Sequence, residues 1–211
     1  KMAKKLVGVL NAYKEVLLEG RSAREVTFET PDEIKLAKEL SLLTAKPVLY
    51  VCNVDEGSAA TGNKYVEEVR EAIKNEGAEI LVIAAKIESE IAELEDYEER
   101  QMFLQEIGLD HSGVERLIQR AYSLLNLQTY FTAGEPEVRA WTINKGDKAP
   151  AAAGVIHSDF EKGFIRAEVI KYDDYVKYGS ESACRAAGKL NVEGKEYIVE
   201  DGDVMHFLFN V

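Results

Sequence analysis

The chain has 211 residues, 46% hydrophobic and 30% charged, the make-up of a globular protein with one large or two small cores. No apolar run reaches the ~18 residues that a membrane-spanning helix needs, and no signal-peptide pattern follows Lys1-Met2-Ala3-Lys4-Lys5, so neither a membrane protein nor an exported one is expected. The net charge of −12 is uneven: residues 1–26 carry six basic and three acidic side chains, 27–126 carry ten and twenty-one, and 127–211 carry ten and fourteen, which argues against nonspecific nucleic-acid binding by the acidic middle.

The first element in chain order is a helix over 4–19, from the spacing of Leu6, Leu10, Tyr13 and Leu17, stopped by Gly20. This pattern is under way at Lys1, with no initiating methionine, so an upstream segment is expected to precede it. Thr30-Pro31-Asp32-Glu33 is a helix-start signal, with a capping Thr, a Pro at the first helical position and a Glu completing the box; the helix is expected to run to Leu43. Pro47–Cys52 and Ile80–Ile83 are short apolar runs of the kind buried on both faces of a parallel sheet. Between them lie a loop, Asn53 to Gly62, and a helix with Val66, Val69 and Ile73 on one face, together a crossover unit. Helices over 88–95, 97–107 and 113–125 follow, the last opened by Ser112 and Glu115.

The character changes at 126/127. Strands are expected at 129–132, 138–142 and 164–170, a short helix at 150–156, a helical turn at 172–178, and a terminal hairpin turning at Asp201-Gly202-Asp203. Cys52 and Cys184 form no motif, which fits a reduced, cytoplasmic protein. His111, His157 and His206 have no metal-ligand spacing, so no metal site is expected. His157 is expected to cap a short helix or sit in the core.

The residues with chemistry to offer are Asn53-Val54-Asp55-Glu56, directly after the first apolar strand, where ligands bind in open α/β sheets. An Asn there can brace the loop and reach a base, and an acid three residues on can accept hydrogen bonds at the base edge. Guanine offers two donors to a carboxylate and adenine one. The longer Glu56 displaces the carboxylate and weakens the guanine match. A second loop, Ala84-Ala85-Lys86-Ile87-Glu88, ends the next strand and can contact the base through backbone N–H groups. Asn-x-x-Glu alone is a common plain loop; the pairing of two such loops favours a nucleotide site.

The stretch from Lys46 through Glu56, and Ala85-Lys86-Ile87-Glu88-Ser89-Glu90-Ile91-Ala92-Glu93-Leu94, resemble the base-recognition segments of the Obg-like ATPases of the YchF type. Residues 153–169 resemble that family's TGS module, a ubiquitin-like β-grasp domain, and residues 1–30 resemble the returning half of its helical arm. The resemblance implies an α/β chain in three pieces. Residues 1–30 would be part of a helical arm, 31–126 the C-terminal part of a Rossmann-like P-loop NTPase (G) domain, and 127–211 the α+β TGS domain. It implies base contacts from Asn53, Val54, Glu56, Ala84, Ala85 and Lys86, with Ala84 standing where the family commonly has Ser. The implied ligand is ATP, or GTP, with Mg²⁺. No Gly-x-x-x-x-Gly-Lys-Ser/Thr occurs in the chain, so the phosphate cradle, the Mg²⁺ ligands and any catalytic residue are expected elsewhere in a full-length parent. The implied function is a cytoplasmic, monomeric ATP hydrolase bound to the ribosome or its RNA. Two competing readings remain: a non-catalytic binding module acting through the TGS domain, and a GTPase relative, which Glu56 in place of Asp opposes.

Overall fold

A computed structural model describes residues 2–134 and 137–210. Lys1, on which the expectation of an upstream segment rests, lies outside the described residues. The chain forms two compact units, Lys1–Leu124 and Leu125–Val211.

The first unit opens with helix α1, Met2–Leu18, which buries Val9, Tyr13 and Val16. The predicted stripe is rotated: Leu10 and Leu17 are exposed. The reason is the partner. Tyr13 meets the edge of the Phe28 ring at 5.3 Å and packs with Val26 and Leu36 of the following segment. Helix α2, Pro31–Glu39, starts on the expected box: Thr30 Oγ1 accepts from the Glu33 N–H, and Glu33 Oε2 accepts from the Thr30 N–H at 3.3 Å. It stops before Leu43 because Ser41 turns the chain at φ 50°.

Strand β1, Leu49–Asn53, helix α3, Lys64–Ala72, and strand β2, Glu79–Ile83, form the crossover unit, with β1 and β2 parallel from Leu49↔Glu79 to Asn53↔Ile83. Asn63 caps α3 by accepting from Tyr65 and Val66 N–H. Three helices follow: α4, Ala85–Glu93, α5, Tyr97–Glu106, and α6, Gly113–Leu124. Ala84, Ile87, Ile91, Leu104 and Leu109 form a core around α4 and α5, and α6 packs on β1 and β2. β1 is not the doubly buried strand that its apolar run predicts. Val51 is 45% exposed, and among the described residues β1 pairs on one side only.

The second unit is a five-stranded mixed sheet with helices on both faces. Its elements are β3, Leu127–Ala133; β4, Val138–Asn144; α7, Ala149–Ile156; α8, Ser158–Lys162; β5, Phe164–Ile170; α9, Tyr172–Tyr178; α10, Glu181–Ala186; β6, Leu190–Glu193; and β7, Val204–Phe209. The order is β4-β3-β7-β5-β6, with β3 and β7 parallel and the other pairs antiparallel. Alternation sorts the side chains between two cores. Tyr130, Ile143, Ala167, Val169, Met205 and Phe207 pack with α7 on one face. Phe131, Ile170, Val204 and Cys184 pack with α9 and α10 on the other.

The expected terminal hairpin is therefore overturned. β7 does not fold back on the strand before it but inserts between β3 and β5. Its run Val204-Met205-His206-Phe207 has apolar groups for both faces, which suits a central strand. The Asp201–Asp203 turn is anchored instead by Asp203, fully buried. Its carboxylate accepts from Lys171 Nζ at 2.7 Å, Tyr197 OH at 2.6 Å and the Glu200 N–H at 2.9 Å. Helices α8 and α10 have no counterpart among the predicted elements; each is a turn or two long, too short for a readable period. His157 starts α8, its Nδ1 accepting from the Asp159 N–H at 3.2 Å, and is exposed rather than in the core. Gly163 ends α8 where a Cβ would fall 2.1 Å from the Asn210 carbonyl oxygen, so only glycine fits.

Candidate functional site

Parallel pairing brings the ends of β1 and β2 level, Asn53 beside Ile83. The Val54 N–H donates to the Ile83 carbonyl at 2.8 Å, carrying the ladder one step past the strand. Asn53 Oδ1 accepts from the Ala85 N–H at 3.0 Å, so the two strand ends are tied by backbone and by side chain. This bond matters because of Ala84. Ala84 occupies the cap position of α4, is buried, and has no side-chain oxygen to offer. A helix start leaves its first N–H groups without intrahelical partners. Asn53, 32 residues upstream, supplies the missing acceptor for one of them.

This corrects the expected second loop. Residues 85–88 are the first turn of α4, because the chain passes from β2 into helix with only Ala84 between. Helix starts present N–H groups and positive dipole ends, so the change of conformation leaves donors at this end of the sheet.

The remaining candidates stand apart from that bond. Glu56 opens a 3-10 turn, Glu56–Ser58, with its side chain exposed. The turn is held by Asp55, whose carboxylate accepts from Ser58 Oγ at 3.0 and 3.1 Å. Lys86 has a 93% exposed side chain, 3.9 Å from Glu90. Asn53 and Ala85 are thus joined directly and Val54 is tied to Ile83, while Glu56 and Lys86 flank them.

Two features were not legible beforehand. Glu88 accepts from the Gly113 N–H at 2.6 Å, joining α4 to α6 across 25 residues of sequence. In the second unit, donor atoms of Glu168, Glu181 and His206 lie within 4.8 Å of one another. Glu168 and His206 are partners across β5 and β7, which local spacing does not reveal. Arg185 Nη2 already bridges both glutamates, at 2.8 and 3.1 Å, and supplies the positive charge there. Among the described residues, no helix is long and apolar enough to cross a membrane.

The YchF-GTPase C-terminal family model, described as a protein of unknown function (DUF933), matches residues 127–210. A ribosome-binding ATPase YchF of Bacillus subtilis is 56% identical over 96% of this chain and 56% of its own length. The protein of that name from Haemophilus influenzae is 50% identical over 100% of this chain and 57% of its own length. The solved structure of the Schizosaccharomyces pombe YchF GTPase superposes with a TM-score of 0.80 at 37% identity, covering 95% of this chain and 53% of that one. The chain spans little more than half the length of these relatives. Along its whole length the chain is homologous to the YchF type of the Obg-like ATPase family, and it carries that family's C-terminal domain.

Proposed function

We propose that this chain is the base-recognition and ribosome-facing portion of a cytoplasmic P-loop ATPase that binds and hydrolyses ATP and tolerates GTP. The observation that carries the nucleotide reading is the Asn53–Ala85 hydrogen bond, which ties the carboxyl ends of two parallel strands into one platform. In this reading Asn53 spends its carbonyl oxygen on the turn and keeps its amide for a purine. The backbone at Val54, Ala84, Ala85 and Lys86 frames the base, and Glu56 accepts from its exocyclic donor. These groups fit the base of a nucleotide rather than its phosphates. They include a carboxamide, a carboxylate acceptor and backbone donors, and the chain contains no Gly-x-x-x-x-Gly-Lys-Ser/Thr. Bound Mg²⁺ would neutralise phosphate charge, from ligands outside these residues. We assign residues 1–30 to a helical arm, 31–126 to the NTPase domain and 127–211 to a TGS domain. The central parallel β3–β7 pair supports a β-grasp for the last. The names of the relatives support the ribosome as partner, and a monomeric state is part of the same proposal.

The test is nucleotide affinity of the full-length protein carrying this chain. Wild type is expected to bind both nucleotides, and Asn53→Ala to weaken ATP and GTP alike. Glu56→Asp is expected to shift preference toward GTP by about tenfold, the scale of one bidentate base contact. An unchanged ATP/GTP ratio in Glu56→Asp sinks the assigned role of that residue, and unaltered affinity in Asn53→Ala sinks the platform. The second reading, a binding module without nucleotide chemistry, is favoured by the separate cores of the second unit. Absence of nucleotide binding by the full-length protein would select it.

A further inference from the structure

Glu88 is the fourth residue of α4, and its side chain is 12% exposed. Its carboxylate does not cap its own helix. Oε1 accepts from the N–H of Gly113, the first residue of α6, at 2.6 Å. That N–H is one of those a helix start leaves unpaired, and the carboxylate charge sits at the positive end of the α6 dipole. The other cap of α6 comes from its own neighbour, Ser112 Oγ, which accepts from the Glu115 N–H at 3.2 Å. Arg116, one turn into α6, brings Nη2 to 3.9 Å from the same Glu88 oxygen. The buried Nε and Nη2 of Arg116 have no hydrogen-bond partner among the described residues, so Glu88 is the compensating charge on this side. The closeness of the approach also depends on glycine, since any Cβ would push the carboxylate aside. A Cβ on residue 113 would lie 2.6 Å from Glu88 Oε1.

Helix α4 is therefore moored twice within its first turn. Asn53 holds the Ala85 N–H from the strand side, and Glu88 docks on the start of α6 from the other. The Ala85–Lys86 backbone lies in the turn between these moorings. We propose that Glu88 is a positioning residue for the base-side turn 84–86: its bond to Gly113 sets where the N–H groups of that turn stand. The consequence for nucleotide affinity rests on the nucleotide reading above. The mooring itself does not.

Two measurements separate them. The first is amide exchange in the 211-residue chain, for wild type, Glu88→Ala and Glu88→Gln. The second is the dissociation constant for ATP and for GTP of the full-length protein carrying the same substitutions. Glu88→Ala is expected to speed exchange at Ala85 and Gly113 by about tenfold, the scale of one hydrogen bond to a charged group, and to weaken ATP and GTP by a similar factor. Gln keeps an acceptor oxygen, so Glu88→Gln should restore most of both effects. The ATP/GTP ratio should not move, since Glu88 does not face the base in this reading. The proposal is overturned if Glu88→Ala leaves exchange at Ala85 within about twofold of wild type, or speeds all first-unit amides equally, the sign of simple destabilisation. It is also overturned if local exchange rises while affinity for both nucleotides stays the same. If the wild-type full-length protein binds neither nucleotide, the nucleotide reading fails. The exchange result at Ala85 then decides alone whether Glu88 holds the turn.

Discussion

Asp203 is a fully buried carboxylate, and its three partners show how a single residue holds a turn. Lys171 is drawn in at 2.7 Å, and although burial opposes its charge, the hydrogen bonds it donates to Asp203, Glu200 and Tyr197 outweigh this and raise its pKa. Tyr197 is the more useful probe. Burial first, then the hydrogen bond it donates to Asp203, push its phenol up to about 12, with Lys171 pulling the other way. A raised pKa means that the folded state holds the proton more tightly than the unfolded chain does. That stability is fully present below the unfolded value, near 10, and is lost as the pH rises toward about 12. Lys171 adds to the same trend, since its own stabilisation is lost above the unfolded value of 10.5. The second unit should therefore weaken between about pH 9 and about pH 11, by no more than about 1 kcal/mol from Tyr197 after discounting for its partial exposure. Urea midpoints at the two pH values check this. Tyr197→Phe should flatten the slope without abolishing it, and a slope unchanged in that variant would exclude Tyr197 as a source.

At the scale of the element, caps account for more of this fold than propensity does. α2 runs only nine residues, too short to persist alone in water, and depends on its Thr30–Glu33 box and on packing through Ala37. Thr30→Ala removes both the acceptor for the Glu33 N–H and the 2.6 Å bond to Glu33 Oε2. The expected cost is about 1 kcal/mol, read as a lowered urea midpoint with an unchanged m-value. Thr30→Ser should recover most of it. The contrast with α4 is instructive. There the local signal is absent, because Ala84 cannot cap, and the acceptor for the Ala85 N–H comes from Asn53, while Glu88 of α4 accepts from the start of α6, a helix–helix bond that local pattern reading does not register. The same holds for β7, whose apolar run is visible in the sequence but whose neighbours, β3 and β5, lie 34 or more residues upstream.

For the molecule as a whole, the two units carry separate cores, and the second has one on each face of its sheet. Residues 125–211 expressed alone should give a dispersed amide spectrum and a single cooperative unfolding transition, as small single domains do. A collapsed spectrum would show that the second unit needs the first. What the sequence by itself determined was local: α1, α2, the β1–α3–β2 crossover, β5 and the change of character near 126 all announce themselves through periodicity, caps and composition within a window of a few residues. The candidate residues were visible for the same reason, since Asn53 and Ala85 each follow an apolar strand. What only the tertiary structure decided was pairing between distant segments. It set the central place of β7, the rotated face of α1, the Asn53–Ala85 tie and the Glu88–Gly113 mooring. Periodicity records which face of an element is apolar, but the partner that covers that face is chosen by burial and hydrogen-bond satisfaction summed over the whole chain.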